Sequence, residues 1–198
     1  MTAGQRMKPC FVMAIVLAWL AGCADPAQVK PMTAPAPPAE LPLANPALAR
    51  AVCVERVRGG KATHPLWASE VDNQAFFRAL EGSLANHGLL AAAPADCRFA
   101  VESHLLGLSQ PFISIDVEVV ANVNYRVRQA AVAEPYLLST QRSDYTVGFT
   151  QDQVLWATRL KAANEGAIQR NIAAFIETLR ETPPPPAAAP PAPPTGGS

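Results

Sequence analysis

The chain has 198 residues, of which 49% are apolar and only 16% are charged, and its 16 basic residues balance its 16 acidic ones. This length suits one globular domain, and the lack of net positive charge argues against a nucleic-acid-binding protein. The 20 prolines are concentrated towards the two ends of the chain, which restricts the predicted domain to residues 49–181.

The first 22 residues resemble a bacterial lipoprotein signal peptide. Arg6 and Lys8 precede an apolar run from Phe11 to Leu20, which is about half as long as a membrane-spanning helix. The run ends in Leu-Ala-Gly-Cys, which resembles the lipobox, so Cys23 is predicted to become the lipidated first residue of the mature chain. The alternative is an ordinary secretory signal with a chance cysteine.

The composition of the mature chain indicates how it would be held at a membrane. Removal of Arg6 and Lys8 with the signal reduces the 16 basic residues to 14, against 16 acidic ones. Because such a chain is not attracted to anionic lipid, lipid on Cys23 is the predicted anchor. Ala24 follows Cys23, whereas aspartate in that place favours inner-membrane retention in the enterobacterial type of pathway. We therefore expect the periplasmic face of the outer membrane.

Two proline-rich segments flank the predicted domain. Residues 23–48 contain seven prolines and show no hydrophobic period. They are predicted to be an extended tether with a reach of at most about 75 Å. Residues 182–198 are rich in proline and alanine, and we expect a disordered tail there.

The domain begins with a strand and a helix. The short apolar stretch Ala-Val-Cys-Val-Glu-Arg-Val predicts a strand, and Gly59 and Gly60 after it predict a turn. Apolar residues then recur at helical spacing. This helix is expected to take Asp72 or Asn73 as its N-cap and to end at Gly88.

Three further strands follow. In the second strand Cys97, Phe99 and Val101 alternate with other residues, and the alternation slips near Leu105. The third strand has the clearest alternation, with apolar residues at Ile113, Ile115, Val117, Val119, Ala121, Val123, Tyr125 and Val127. A weaker fourth strand covers 136–147. This pattern is typical of antiparallel strands with one buried and one solvated face.

A long helix is predicted from about Asp152 to Arg180, with one broad apolar stripe. The element order β-α-β-β-β-α therefore indicates an α+β fold. We expect a two-layer sandwich in which a four-stranded, mainly antiparallel sheet carries both helices on one face.

With these elements placed, the chain resembles a family of uncharacterised proteobacterial envelope lipoproteins. The resemblance covers most of the domain and departs between 136 and 153, where relatives usually carry Ala-Pro-Tyr-Thr and this chain carries Ser-Asp-Tyr-Thr. The residues that carry it are Gly59, Gly60, Thr63, Pro65, Leu66, Trp67, Asn73, Phe76, Ala79, Leu80, Gly88, Leu89, Ala163, Asn164, Glu165, Gly166, Ala167, Arg170, Asn171 and Ile172.

The resemblance implies a fold similar to that of small lipoproteins that assist lipid or lipopolysaccharide transport and assembly. A shared fold does not imply a shared function. Some relatives carry the label UDP-N-acetylglucosamine acyltransferase. That enzyme class is built from hexapeptide repeats and is cytoplasmic, whereas this chain has no such repeat and has an export signal.

The residues themselves do not indicate catalysis. His64, His87 and His104 are far apart, and none has a cysteine or carboxylate at metal-ligand spacing. The chain also lacks a G-x-S-x-G elbow and a phosphate loop. We therefore predict no catalytic residues, no metal site and no cofactor.

Two features near the helices need an explanation. Trp67 lies in the loop before the first helix, where it either plugs the edge of the core or contacts a partner. Asn164 and Glu165 flank the apolar stripe of the last helix, and a buried glutamate needs a polar partner. Lys161 or the backbone of the loop 59–63 is the expected partner, in a structural role.

Once Cys10 is removed and Cys23 is acylated, Cys53 and Cys97 are the two remaining thiols. In an oxidising compartment they are expected to form a disulfide. The alternative is that they are two small buried residues on neighbouring strands.

The polar face of the third strand has acidic residues near its start and Arg126 and Arg128 near its end. We expect this face to be exposed and to offer Arg126 and Arg128 to an envelope protein or amphiphile; the alternative is a solvated face without a partner. The predicted function is thus a non-enzymatic binding or assembly lipoprotein, and the alternative is an enzyme acting on envelope lipid or cell-wall precursors.

The lipobox generates the first testable prediction. Cys23→Ser should leave the precursor uncleaved or release the protein from the membrane fraction, because the hydroxyl group cannot take the thiol's place as acceptor of the diacylglycerol. Electrophoretic mobility and membrane fractionation of the variant measure this. Normal processing and attachment would show that Cys23 is not the anchor.

Overall fold

In a computed structural model of the protein, the described residues are 25–38, 45–63, 69–111, 114–130, 132–149 and 155–185. The sheet order is β1-β2-β3-β4. The helices and strands in chain order are α1 Val29–Met32, β1 Val52–Arg58, α2 Asn73–Asn86, β2 Phe99–Ser109, β3 Val117–Gln129, β4 Pro135–Val147 and α3 Trp156–Glu181.

The α+β fold agrees with the predicted layout. Strand β1 runs parallel to β2 because α2 forms the crossover between them, and the pairs β2–β3 and β3–β4 are antiparallel. Helix α2 packs against β1, and α3 packs against β3 and β4. Both long helices therefore cover the same face of a mixed sheet.

The ends of α2 are where the sequence places them. The Asp72 side chain accepts a hydrogen bond of 2.8 Å from the backbone N–H of Ala75, which is the N-cap interaction. Gly88 follows the helix with φ of 68°, a left-handed conformation that glycine adopts without strain. The slip near Leu105 is a register shift of β2 against β3 between Leu105 and Gly107.

The core lies between the sheet and the two long helices. At its centre the buried Tyr125 ring stacks on Phe175 with 4.0 Å between ring centroids. The Tyr125 hydroxyl donates a 3.0 Å hydrogen bond to the Asn171 side chain, which donates in turn to the backbone oxygen atoms of Gln141 and Ala121. A single amide thus satisfies the buried phenol and links α3 to two strands.

The starts of β3 and α3 each differ from the prediction by four residues, and β2 begins at Phe99 rather than at Cys97. Strand β3 begins at Val117, because the chain bends at Ile115, whose side chain is 78% exposed; Ile113 lies outside the described residues. Helix α3 begins at Trp156, four residues later than predicted. The predicted start, Asp152, also lies outside the described part of the chain.

The extended tether predicted over 23–48 is contradicted for much of its length. In residues 25–38 the side chains of Ala27, Met32 and Ala34 are buried, and Leu48 near the end of the segment is fully buried as well. Helix α1 packs against both α2 and α3. We call residues 25–38 the N-terminal strap.

Hydrogen bonds to both helices hold the strap along its length. On α2, the Ser83 hydroxyl accepts from the Ala34 backbone N–H at 2.8 Å, and the Asn86 amide donates to the Ala34 oxygen at 2.9 Å. On α3, Gln169 donates to the backbone oxygen of Thr33 at 3.1 Å. Prolines do not prevent this docking, because the strap forms few internal hydrogen bonds and uses side chains of the domain as its partners.

Because the strap is docked, removing one of its buried side chains should destabilise the domain, whereas the same change in a free tether should not. Met32→Ala should lower the free energy of unfolding by about 2–5 kcal/mol, because it empties a fully buried site. Lys30→Ala, two residues before Met32 and exposed, should change it by less than about 0.5 kcal/mol. Chemical denaturation of both variants measures the difference, and equal free energies of unfolding would show that the segment is a free tether.

Candidate functional site

The sheet face opposite the helices carries polar side chains in cross-strand rows. On β3 the inward residues are buried, whereas Glu118, Asn124 and Arg126 are exposed. In one row the register aligns Arg56 of β1 and Glu102 of β2 with Arg126. Residues so aligned are close neighbours on the sheet face, so two arginines flank one glutamate.

The next row aligns Arg58 of β1, His104 of β2 and Asn124 of β3. Together the two rows line a shallow depression of about 200 Å³, to which Ser103 also contributes. Its side chains include three arginines against a single glutamate, so the depression favours an anionic group. We call it the basic pocket.

Arg126 and Arg128, expected to act together, occupy different environments. Arg128 forms an ion pair of 2.5 Å with Glu55 and also donates to the backbone oxygen of Ala130 at 3.4 Å. Glu55 reaches it because β1 shifts register between Val54 and Arg56. Arg128 is therefore ion-paired within the chain, whereas Arg126 lines the basic pocket.

Arg56, Arg58, Glu102 and His104 were not among the predicted site residues. Alternation puts Arg56 and Arg58 on one face of β1, but the short strand does not reveal whether that face is wet. Only the register of β1 on β2 brings these residues beside Arg126. Trp67 and Cys23, two of the predicted site residues, lie outside the described part of the chain.

The stretch Asn164-Glu165-Gly166 contacts three different segments. Asn164 donates to the backbone oxygen of Ser69 at 2.7 Å, and Gln110 donates to both Asn164 and Ser69. At Gly166 a Cβ would lie 2.5 Å from the Tyr145 ring, so the ring packs directly on the helix backbone. Consecutive residues point about 100° apart around a helix, which lets one turn contact the loop before α2, the strap and β4.

Glu165 supplies the contact with the strap. Its carboxylate accepts a 2.7 Å hydrogen bond from the backbone N–H of Gln28. Lys161 or the loop 59–63 was the predicted partner. Lys161 acts on Glu165 through its charge, whereas the hydrogen bond comes from the strap and not from the loop, because the strap lies against this part of α3. Burial raises the pKa of Glu165, while the Gln28 hydrogen bond and the charge of Lys161 oppose that rise.

The Gly59-Gly60 pair forms the turn before α2, as the sequence predicts. Gly59 has φ of 83°, and a Cβ there would overlap the backbone of Leu105. The N–H of Gly60 donates to the Asn73 side chain at 2.8 Å, and a Cβ on Gly60 would meet the Asn73 backbone at 2.6 Å. The pair thus allows β1 to close against both β2 and α2.

The structure joins Cys53 and Cys97 in a disulfide, with 5.6 Å between their Cα atoms. The bond links β1 to the segment that enters β2, at the edge of the sheet near the Glu55–Arg128 ion pair. It closes a loop across the whole of α2, because the two cysteines are 44 residues apart.

Within the described ranges, no group of three or more histidine, cysteine, aspartate or glutamate residues could hold a metal ion. No helix in these ranges is long and apolar enough to span a bilayer.

Comparison with solved structures shows a shared fold. Protein XCC0632 from Xanthomonas campestris, which carries the family description DUF330, superposes with a TM-score of 0.55 at 8% identity, over 75% of this chain and 91% of that one. Weaker likenesses include protein CT253 from Chlamydia trachomatis, with a TM-score of 0.45, 11% identity and coverage of 66% and 95%. A minor lipoprotein from Acinetobacter baumannii superposes with a TM-score of 0.40 at 10% identity, over 67% of this chain and 95% of that one.

No family model matches the chain, and no curated protein does either. The similarity to XCC0632 concerns the fold, since 8% identity carries no functional residues across. The resemblance to an envelope lipoprotein family, with its acyltransferase label and its relation to lipopolysaccharide transport, stays a prediction from sequence.

The environment of Glu165 generates a pH-dependent prediction. Because burial raises its folded pKa above the unfolded value, the folded state favours the protonated carboxyl, and that contribution is lost as pH rises through the folded pKa. Glu165→Gln keeps an acceptor for the Gln28 N–H without a buried charge. Its melting temperature relative to wild type should therefore increase from pH 4 to pH 7.

Glu165→Ala is the matched comparison, since it leaves the Gln28 N–H without its acceptor. We expect it to lower the free energy of unfolding by about 1–3 kcal/mol at either pH. Thermal unfolding of both variants at the two pH values measures this. A glutamine variant that loses stability relative to wild type between pH 4 and pH 7 would show that the carboxylate is favoured in place.

Proposed function

We propose that the chain is a non-enzymatic lipoprotein, anchored through Cys23 at the periplasmic face of the outer membrane, that binds an acidic segment of an envelope protein in the basic pocket. The export signal and the lipobox support the location. The fold shared with XCC0632 is compatible with it and adds no residue-level argument.

The observation that carries the proposal is the arrangement of arginines on the open sheet face. Arg56 and Arg126 stand two strands apart in one row, about 10 Å between their Cα atoms at ordinary strand spacing, with Arg58 in the next row. Guanidinium groups bind carboxylates through paired N–H donors, so two arginines so separated suit two acidic residues of one extended chain.

A second observation supports a protein partner. Leu138 pairs with Arg126 across β3 and β4, and its side chain is 67% exposed on the open face. A polypeptide can contact this apolar side chain while its carboxylates pair with the arginines, and such mixed surfaces are typical of protein interfaces.

The alternative is an enzyme acting on envelope lipid or cell-wall precursors. The feature that favours it is the placing of Glu102 and His104 on one face of β2, both lining the basic pocket. An enzyme would require His104 or Glu102 for activity, whereas a binding module depends chiefly on the arginines.

The basic pocket predicts a partner that depends on one arginine. A photo-activated crosslinker at Asn124, used in intact cells, should join the protein to a specific envelope protein. Arg126→Glu should reduce that adduct by roughly tenfold or more, because it places a like charge opposite the acidic segment. The melting temperature should be nearly unchanged, since an exposed charge contributes little to stability.

Arg142→Glu is the control, because Arg142 is exposed on the same sheet face in β4 and lies outside the basic pocket. It should leave the adduct intact. Equal loss in both variants would show a general charge effect rather than a pocket, and an adduct to lipid alone would favour an amphiphile. Retention of the adduct in Arg126→Glu would overturn the assignment.

A further inference from the structure

One end of the domain presents three large apolar side chains to solvent. Ile115 is 78% exposed, Leu155 is 66% exposed and Phe149 is 55% exposed. They come from three parts of the chain: the approach to β3, the residue before α3 and the segment after β4. We call this group the apolar end.

Arg159 brings the three residues together. Its guanidinium lies 5.3 Å from the centre of the Phe149 ring and donates a hydrogen bond to the backbone oxygen of Ile115. Its backbone N–H donates to the oxygen of Leu155 at 3.3 Å. The Arg159 side chain is itself buried, so the apolar groups rather than its charge form the surface.

The strap brings the predicted anchor to the same end. Gln28 is hydrogen-bonded to Glu165, and Thr33 is hydrogen-bonded to Gln169. The strap therefore runs parallel to α3, and residues before Gln28 lie towards the start of that helix. The backbone oxygen of Asp25 accepts a 2.8 Å hydrogen bond from the Ser69 hydroxyl.

Chain length then limits where the lipid can be. Cys23 is two residues before Asp25, and two residues span at most about 7 Å. A tether over 23–48 would have allowed about 75 Å. Asn164 donates to the same Ser69 whose hydroxyl bonds Asp25, so Asp25 lies at the level of Asn164, nine residues or about 14 Å along the helix from Leu155. With the strap docked, an acylated Cys23 therefore holds the N-terminal half of α3, and with it the apolar end, close to the bilayer.

We infer that the apolar end lies in the headgroup layer of the same membrane that holds the lipid on Cys23. This rests on the lipid anchor of the proposed function. Asp116 directly follows Ile115 in the chain, and the positive charge of Arg159 is buried beneath the apolar side chains. The exposed surface of this end therefore carries no excess of positive charge, and apolar contact rather than attraction to anionic lipid holds it there.

This placement also determines how far the basic pocket lies from the membrane surface. Strand β3 starts at the apolar end, and Arg126 lies nine residues after Val117, which is about 30 Å along a strand. The strands then run away from the membrane, and the basic pocket opens at the far end of the sheet. A partner would meet it well clear of the lipid headgroups.

The test uses the mature lipoprotein extracted from membranes and reconstituted in vesicles of phosphatidylethanolamine and phosphatidylglycerol. Leu155→Trp adds a fluorophore at the apolar end, and Leu138→Trp adds one at the level of Arg126. The two leucines are matched in exposure, at 66% and 67%. A phosphatidylcholine brominated in the upper acyl chain is the quencher, and the emission of the native tryptophans is subtracted.

Brominated lipid should lower the added emission of Leu155→Trp by roughly half or more, because interfacial groups sit near the upper acyl chain, and should leave that of Leu138→Trp unchanged. Adding Phe149→Ser to Leu155→Trp should weaken the quenching. Raising the salt concentration should not weaken it, because screening acts on charges.

The outcomes separate the two proposals. If the protein floats with vesicles but neither tryptophan is quenched, or both are quenched equally, the lipid anchor stands and the inference is overturned. If the lipoprotein does not float with vesicles at all, the anchor and the inference both fail. Circular dichroism of each variant verifies the fold, which substitutions at these exposed sites should preserve.

Discussion

The hydrogen bond between the Glu165 carboxylate and the backbone N–H of Gln28 is the contact on which the arrangement of this domain depends. It joins the strap to the longest helix at a point buried from solvent, and Asn164 beside it holds the loop before α2. Because a buried carboxylate is costly without a partner, the strap and the helix determine each other's position. The chain before Asp25 therefore leaves the domain at a defined place.

The sheet divides the molecule into a dry side and a wet side. On the dry side, the stacked rings of Tyr125 and Phe175 and the amide of Asn171 join α3 to β3 and β4. On the wet side, the register of β1, β2 and β3 produces the basic pocket. A β-strand supplies both surfaces at once because its side chains alternate, so the residues that build the core also space the arginines.

The edge of the sheet near β1 explains why two neighbouring arginines differ. The register shift in β1 brings Glu55 to Arg128, and the disulfide between Cys53 and Cys97 closes the same edge. Arg126, one row away, has Glu102 beside it and arginine beyond. A partly exposed ion pair contributes little to stability, but it removes Arg128 from the surface that an acidic partner would meet.

Local pattern was enough to predict the α+β class, the three antiparallel strands, an N-cap of α2 at Asp72 or Asn73 and a slip in the alternation near Leu105, because alternation, helical spacing and capping depend on residues close in sequence. The disulfide pairing was reached by counting thiols. The strap was missed, since proline-rich composition predicts an open chain and its partners Ser83, Asn86 and Glu165 lie about 50 to 137 residues away.

Likewise, only strand register brings Arg56, Glu102 and Arg126 into one row. The sequence by itself thus determined the fold class and the identity of the charged residues, and it predicts the export signal. Tertiary structure decided which of them meet and where the chain leaves the domain, because contacts between distant segments follow from packing and not from local periodicity.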